Sequence, residues 1–426
     1  MNLCFDCLDL VLKSQSEGNG DSAFGGFKFL WEGNYFDHEG DTSDHAELTL
    51  DSIEVVVNKC ANILREKLAS SLTDSSTTNV TAKGRAILVY MPNVVQLLVS
   101  VLAAARIGAV LTFVNAAVNS RAEDLSKILE MSCAELVITV DGFFMGEELH
   151  ETKKVLDEAI DLLHANNSNR IHSVLIVRHV GSNPAIPPPS KSYNGRRPHY
   201  GLEVPFIDGR DHHWSNLMVE ASEQSECEWM DSEDVIFNTI KRIPEGNNDW
   251  HFEQYTVSQI ALLVRMLART IRRNRIPSLE FNRKPSCDSQ HSSATFENCS
   301  KDEVSVVWAV VEMEDLLFLA TFFAVPLSRQ TLLLSESPPM HPNPSRIFQI
   351  VEKHGVNQLL LAEQYIKLLI RNEQFENVWY QESDPTWSIT TLQVVYTVSK
   401  LRTENDNYVQ WLSRCAPTAR IIHFSC

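Results

Sequence analysis

Short apolar runs alternate with helical patterns over residues 85–177, and this alternation constrains the fold more than any other feature of the chain. Strands are predicted at residues 85–91, 109–113, 135–140 and 173–177. Helices are predicted between them at residues 94–107, 125–132 and 147–163. The pattern favours an α/β fold in which parallel-sheet layers are flanked by helices. We expect residues 86–90, 135–140 and 173–177 to share one sheet.

Two further helices are predicted outside this region. Residues 52–66 carry apolar side chains at helical spacing, whereas the five prolines of residues 183–199 indicate a surface loop or linker. Residues 255–275 combine an apolar stripe with five arginines. We interpret this helix as packed on the core with a solvated arginine face. A calmodulin-like partner, an acidic membrane and a nucleic acid are the alternatives.

The charge balance argues against anionic macromolecules as partners. The chain of 426 residues holds 37 basic and 55 acidic residues, which gives a net charge of −18. Such a charge disfavours binding to nucleic acid or to an anionic membrane surface. Its longest apolar region, residues 87–118, is interrupted by Pro92 and Arg106, so we predict a buried strand and helix there and no membrane span.

The cysteines indicate a reducing compartment. Their number is nine, which is odd, and the first residues include Asp6 and Asp9, unlike a secretory signal. We therefore expect a cytoplasmic protein with reduced thiols. Cys4 and Cys7 form a single Cys-x-x-Cys, but a closed zinc site needs four ligands. No metal site is expected at these cysteines, nor at His212 and His213, which are consecutive in the sequence.

Several segments occur in the order typical of one enzyme family. They include Asn2-Leu-Cys-Phe-Asp-Cys-Leu-Asp9, Trp31-Glu-Gly33, Glu228-Trp-Met-Asp-Ser-Glu-Asp234 and Pro344-Ser-Arg-Ile-Phe-Gln-Ile-Val-Glu-Lys-His-Gly-Val356. The chain resembles the acetyl-CoA synthetases of the adenylate-forming acyl-CoA ligase family over residues 1–237 and 304–426. The resemblance implies the amino-terminal domain of such ligases. It divides the chain into an amino-terminal segment, 1–66, and a partial AMP-binding domain, 67–426, with a divergent insert at 238–303.

The resemblance implies an enzyme that activates acetate with ATP and magnesium and passes the acetyl group to CoA. The family's phosphate loop, Thr-Ser-Gly-Ser-Thr-Gly-x-Pro-Lys-Gly, should follow the strand that ends at Phe237. Only Gly246 is left of it, as the vestige of a phosphate loop, and Asp249 stands where the lysine would be. A phosphate cradle needs glycine-rich backbone and a cation. We interpret Lys241 and Arg242 as a solvated turn.

Other motifs of the family depart from its pattern as well. The CoA-contacting Arg-Gly-Gly is replaced by Met145-Gly-Glu-Glu148, and we expect Lys153 and Lys154, nearby on a helix, to face solvent. The adenine-binding Gly-Glu-Pro falls at Ser399-Lys400-Leu401. The segment Glu312-Met-Glu-Asp315 stands for Asp-x-Gly-Trp. The family's Trp-Trp-Gln-Thr-Glu and its carboxy-terminal lid, with the catalytic lysine, would follow residue 426, so the lid domain is expected to be absent.

These departures predict a catalytically inactive or truncated relative of acetyl-CoA synthetase. No catalytic residue is assigned, and no bound ATP, magnesium or CoA is expected. Two alternatives stay open: an active acetate–CoA ligase whose true transcript restores the missing motifs, or a non-catalytic partner of a full-length synthetase. We also expect residues 282–301 to be mobile, since their composition buries little apolar surface.

Overall fold

The computed structural model describes residues 1–16, 28–34, 44–69, 81–145, 148–181, 202–242, 250–274, 305–341, 346–371, 391–399 and 406–425. The expectations for Gly246, for the linker at 183–199 and for the mobility of residues 282–301 fall outside these ranges.

Helices and strands alternate along most of the described chain. The helices are a π-helical turn at Phe5–Asp9, then α1 (Leu10–Ser16), α2 (Leu50–Ala69), α3 (Val95–Arg106), α4 (Ala122–Ser132), α5 (Thr152–Ala165), α6 (Trp214–Glu220), α7 (Val257–Arg273), α8 (Leu316–Leu327), α9 (Arg346–Lys353), α10 (Glu363–Arg371) and α11 (Asp406–Cys415). The strands are β1 (Lys28–Glu32), β2 (His45–Thr49), β3 (Ala86–Met91), β4 (Val110–Asn115), β5 (Leu136–Val140), β6 (Phe143–Met145), β7 (Glu148–His150), β8 (Ser173–Val177), β9 (Asp211–His213), β10 (Val235–Arg242), β11 (Trp250–Thr256), β12 (Val306–Val310), β13 (Thr331–Ser335), β14 (Val356–Ala362), β15 (Val394–Ser399) and β16 (Arg420–Ser425).

The first large sheet has the strand order β11-β10-β4-β3-β5-β8-β9. Its strands run parallel except for the hairpin of β10 and β11. Strand β3 pairs with both β4 and β5, and Leu88 lies opposite Val137. The prediction that residues 86–90, 135–140 and 173–177 share a parallel sheet is therefore confirmed. Every residue of β5 and β8 is buried, as expected when helices cover both faces.

The second large sheet has the strand order β16-β15-β14-β12-β13-β1-β2. Strand β1 pairs in parallel with β13, and Phe29 lies opposite Leu332. Strand β2 closes one side in antiparallel orientation. The amino-terminal segment is therefore built into the same sheet as the carboxy-terminal part of the chain. Two parallel-rich sheets flanked by helices confirm the predicted α/β class.

The core joins the two sheets. One continuous cluster of buried residues contains side chains from both of them, together with α2, α3, α7 and α8. Phe113 of β4 makes edge-to-face contacts with Phe237 of β10 and with Phe318 of α8. Helix α8 is buried along almost its whole length, which explains why it is apolar on every side. Within the described part of the chain, no helix combines the length and hydropathy that crossing a membrane requires.

Two predicted helices begin later than expected. The helix predicted at 147–163 begins at Thr152, because Glu148–His150 pairs with Phe143–Met145 as a small hairpin. The helix predicted from residue 255 begins at Val257, because Tyr255 pairs with Phe237 in β11. The side chain of Thr256 caps α7 by accepting a hydrogen bond from the Gln259 backbone N–H, and the Gln259 side-chain oxygen accepts one from the Thr256 backbone N–H.

Candidate functional site

A β-hairpin followed by a helix occupies the position at which the family resemblance places the phosphate loop. Strands β10 and β11 pair from Phe237–Tyr255 to Arg242–Trp250, and α7 follows directly. The connection of residues 243–249 lies outside the described residues, and Gly246 with it. The described side chains that bear on this position are at the ends of β4 and β10 and in the segment after β12.

Lys241 and Arg242, at the end of β10, are both ion-paired. The ammonium Nζ of Lys241 lies 2.6 Å from Oδ1 of Asp315, and the guanidinium Nη1 of Arg242 lies 3.5 Å from Oδ2 of Asp124. The interpretation of these two residues as a solvated turn is therefore wrong, because they continue the strand pairing opposite His251 and Trp250. Each cation that precedes the loop already faces a carboxylate.

Further carboxylates surround Lys241. Glu314 accepts a hydrogen bond from the backbone N–H of Asn115, at 3.1 Å, and so joins the segment after β12 to the end of β4. Burial raises the pKa of the Glu314 carboxyl; nearby Glu312 adds to this, and Lys241 acts in the opposite direction. The carboxyl ends of parallel strands are where α/β proteins bind ligands. In this chain that edge is lined by acidic groups.

Tyr255 and Glu253, both on β11, form a hydrogen-bonded pair that places another carboxylate on the hairpin. The Tyr255 hydroxyl donates a hydrogen bond to the Glu253 carboxylate. This hydrogen bond, followed by one from His251, lowers the pKa of Glu253. Burial, followed by the hydrogen bond to Glu253, raises the pKa of Tyr255 to about 12. Glu253 thus stays a carboxylate, close enough to Lys241 for their charges to interact.

The residues around the hairpin do not fit a triphosphate. A phosphate site presents unpaired donors and net positive charge to its ligand. At this place the described cations are paired with aspartates, and Glu253 and Glu314 add acidic groups. At a surface-like dielectric, each wrong-signed charge about 4 Å from a phosphate oxygen costs on the order of 4 kcal/mol before screening by salt.

A second loop, after β5, binds an anion from the chain itself. The buried carboxylate of Asp141 accepts backbone N–H bonds from Gly142, His179, Val180 and Gly181 at 2.6–3.0 Å. A Cβ added to Gly181 would lie 2.8 Å from Oδ2 of Asp141, so only glycine allows this approach. The four N–H groups are thereby all used within the protein.

Lys153, which the sequence predicted to face solvent, is fully buried. Its Nζ lies 2.6 Å from Oδ2 of Asp157 and 2.9 Å from Oδ2 of Asp211. Burial by itself would raise the pKa of Asp211, but hydrogen bonds from Arg210 and Lys153 hold that pKa below its usual value. Lys154 is exposed, as predicted. The prediction for Lys153 failed because α5 begins at Thr152 and turns residue 153 toward β9.

The two large sheets are also joined by a polar bridge. Nε2 of His179, after β8, lies 2.6 Å from Oε1 of the buried Glu336, after β13. The His179 ring meets the Trp31 indole edge-to-face, at 6.4 Å between centroids. Glu32 follows Trp31 in β1 and contacts Arg346, Lys353 and His354. Sequence reasoning missed this bridge because His179 and Glu336 are 157 residues apart in the sequence.

The remaining predicted positions give no further site. In the CoA-contacting turn, the described residues are Met145 and Glu148, at the facing ends of β6 and β7. Neither supplies a cation. Ser399 ends β15, whereas Lys400 and Leu401 lie outside the described residues. His212 and His213 lie on β9, and burial lowers the pKa of both.

The Cys4 and Cys7 thiols are buried, and burial raises the pKa of each well above its usual value. In the parts of the chain that the structure describes, no group of three or more His, Cys, Asp or Glu side chains is arranged to hold a metal ion.

Comparison with known proteins supports the resemblance. The AMP-binding enzyme family matches residues 62–230, which include β3–β9. A protein described as an acetyl-coenzyme A synthetase from Shewanella pealeana is 25% identical over 379 residues, covering 88% of this chain and 46% of the relative. Its counterpart from Drosophila melanogaster is 28% identical over 237 residues, covering 55% of this chain and 30% of the relative.

A third relative, from Helicobacter pylori, is 30% identical over 199 residues, which cover 47% of this chain and 25% of the relative. The chain thus spans less than half the length of each of these three proteins. The fold and the matched region define an α/β protein with an AMP-binding region. Within that class, the chain is similar to acetyl-CoA synthetases, at low identity, over most of its length.

Proposed function

We propose that this chain is an acetyl-CoA synthetase-like protein that does not adenylate acetate. The observation that carries the proposal is the ion pair of Lys241 with Asp315 at the mouth of the hairpin. This pair and that of Arg242 with Asp124 neutralise the two cations that precede the loop, and the Glu253 carboxylate adds negative charge near Lys241. The loop sequence, with Glu245 and Asp249, adds to the same effect.

The chemistry of adenylation explains why these groups matter. An enzyme lowers the barrier to phosphoryl transfer by placing cations and N–H donors where negative charge develops. Removal of one such group typically costs about 10²- to 10³-fold in rate. Here the glycine-rich loop, its lysine and the Asp-x-Gly-Trp glycine are all replaced. We therefore propose no catalytic residue for the chain.

CoA binding is part of the same proposal. Met145 and Glu148 lie where the family has its CoA-contacting turn, and the buried Lys153 forms ion pairs with Asp157 and Asp211. These observations favour the absence of a CoA site from this chain. We also propose that the chain divides into an amino-terminal segment, residues 1–66, and an AMP-binding region with an insert at 238–303. A cytoplasmic location is proposed as well, because the nine scattered cysteines favour a reducing compartment.

A pyrophosphate-release assay tests this function. Purified chain would be incubated with acetate, MgATP and CoA, beside an acetyl-coenzyme A synthetase as a positive control. We expect pyrophosphate release no faster than in a blank without protein. Acetate-dependent release that scales with the concentration of this chain would refute the proposal and favour the alternative of an active ligase.

A further inference from the structure

Helix α7 presents an unusual exposed face for a chain of net charge −18. Leu262 and Met266 on this face are 62% and 52% exposed. Arg265, Arg269 and Arg273 lie beside them at intervals of four residues, and α7 contains no acidic residue. Residues three and four apart share one helix face, so these five side chains form a single surface, which we call the arginine face.

Arg265, Arg269 and Arg273 take part in none of the ion pairs found among the described residues. Arg265 interacts electrostatically with Asp6, on the neighbouring π-helical turn. The opposite side of α7 is buried against the core, so the helix is held in place without its arginines.

An acidic surface with an exposed aromatic residue lies next to the arginine face. Trp229 is 58% exposed and contacts Phe5 at 5.2 Å between ring centroids. Phe5 precedes Asp6, which faces Arg265. Exposed carboxylates flank Trp229 along the same segment, at Glu226, Asp231 and Glu233. We call residues 226–233 the acidic strap.

The acidic strap is attached to α7. The backbone N–H of Val257 donates to the carbonyl of Asp234, at 2.9 Å, and that of Ser258 donates to Ser232, at 3.0 Å. The strap therefore runs into the amino-terminal end of the helix, and the two surfaces form one continuous patch. One half of this patch is basic, and the exposed Glu226, Asp231 and Glu233 give the other half an excess of negative charge over the neighbouring Lys83 and Arg65. Trp229, Leu262 and Met266 are its exposed apolar side chains.

We propose that this patch is the interface of a symmetric homodimer. In a two-fold interface the same patch faces itself in reverse, so a basic half meets an acidic half twice. The arginine face of one copy would lie on the acidic strap of the other. Trp, Met and Arg are enriched in protein interfaces, and Trp and Arg contribute most of the binding energy.

A second copy fits the patch better than an anionic membrane or a nucleic acid. Either of those would meet the carboxylates of Asp231 and Glu233 together with the arginines, and the net charge of −18 opposes both. The 17 residues of α7 span about 25 Å, and an interface of standard size, ~800 Å² per partner, would need this helix together with the strap.

Analytical ultracentrifugation of the full chain tests the dimer. We expect a species of twice the chain mass of 48.2 kDa at micromolar concentration. The double variant Arg265→Glu, Arg269→Glu should sediment as a monomer, because each substitution places like charges opposite the strap. Arg170→Glu, which reverses an exposed arginine between α5 and β8, should leave the dimer intact. Thermal melting would confirm that the variants are folded.

A charge-swap mixture supplies the sharper test. The variant Asp231→Lys, Glu233→Lys should also be monomeric alone, but mixing it with Arg265→Glu, Arg269→Glu should restore dimers. In that mixture both halves of the interface regain opposite charges. A wild-type chain that stays monomeric to ~100 μM, a concentration at which even weak specific pairs form, would overturn the proposal. So would a mixture that fails to associate, or binding to phosphatidylserine vesicles by a monomeric chain.

Discussion

The ammonium nitrogen of Lys153 lies 2.9 Å from Oδ2 of Asp211, and both side chains are fully buried. The pair joins the first turn of α5 to β9 at the edge of the first sheet. Arg210 and Asp157 complete the group, and all four side chains contact an opposite charge. A buried ion pair of this kind is costly to break, because removing one partner leaves a buried charge without compensation.

We therefore predict that Lys153→Met destabilises the protein by about 3–5 kcal/mol, measured by urea denaturation at neutral pH. Lys154→Met is the matched control, since the neighbouring lysine is exposed and, among the described residues, pairs with Glu151 alone, at 3.3 Å. It should change the free energy of unfolding by less than ~0.5 kcal/mol. Equal effects of the two variants would contradict the buried network.

The carboxylate of Asp141 provides a second test of the structure. Asp141→Asn removes a charge that accepts four backbone N–H bonds and places an NH₂ group against one or more of these donors. Hydrogen bonds to charged groups contribute about 1.5–3 kcal/mol each in favourable cases, so we expect a loss of about 3 kcal/mol. Asp161→Asn, on the exposed side of α5, should be close to neutral. A stable Asp141→Asn variant would show that the loop does not depend on this anion.

The buried carboxyl group of Glu314 should make the stability of the protein depend on pH. Because burial raises its pKa in the folded state, its ionisation costs stability as pH rises above the value of an unfolded glutamic acid. Below that value both states are protonated and the cost is absent. Glu314→Gln, which keeps an acceptor for the Asn115 N–H, should therefore raise Tm at pH 7. The gain should shrink as the pH falls toward 4.

The control for Glu314 is Glu123→Gln, at a side chain that is 65% exposed. It should not show this pH-dependent gain in Tm. An equal or smaller Tm for Glu314→Gln at pH 7 than for the unmodified protein would contradict the burial of this carboxyl group.

The sequence predicted the parallel sheet well because β-branched runs such as those of β3, β5 and β8 are local signals. The helices between these strands indicated that the strands lie side by side in one parallel sheet. The small hairpin at Glu148–His150 escaped prediction, because three residues carry too little periodicity. The pairing of β1 with β13 could not be derived, since Phe29 and Leu332 are 303 positions apart in the sequence.

The candidate site was only partly predictable, for similar reasons. The altered loop and its single Gly246 are visible in the sequence itself. The ion pair of Lys241 with Asp315 depends on the contact between β10 and the segment after β12, which no local pattern encodes. For Lys153, the spacing of four residues from Asp157 on a helix was an available signal. Its burial depended on Asp211, which is far away in sequence.

Calorimetric titration with MgATP tests the central claim most directly. We expect no measurable heat of binding up to millimolar nucleotide, because Lys241 is paired with Asp315 and the loop sequence contains Glu245 and Asp249. A synthetase that binds MgATP would serve as the positive control. A dissociation constant for this chain below ~100 μM, equivalent to roughly 5.5 kcal/mol of binding free energy, would contradict the account.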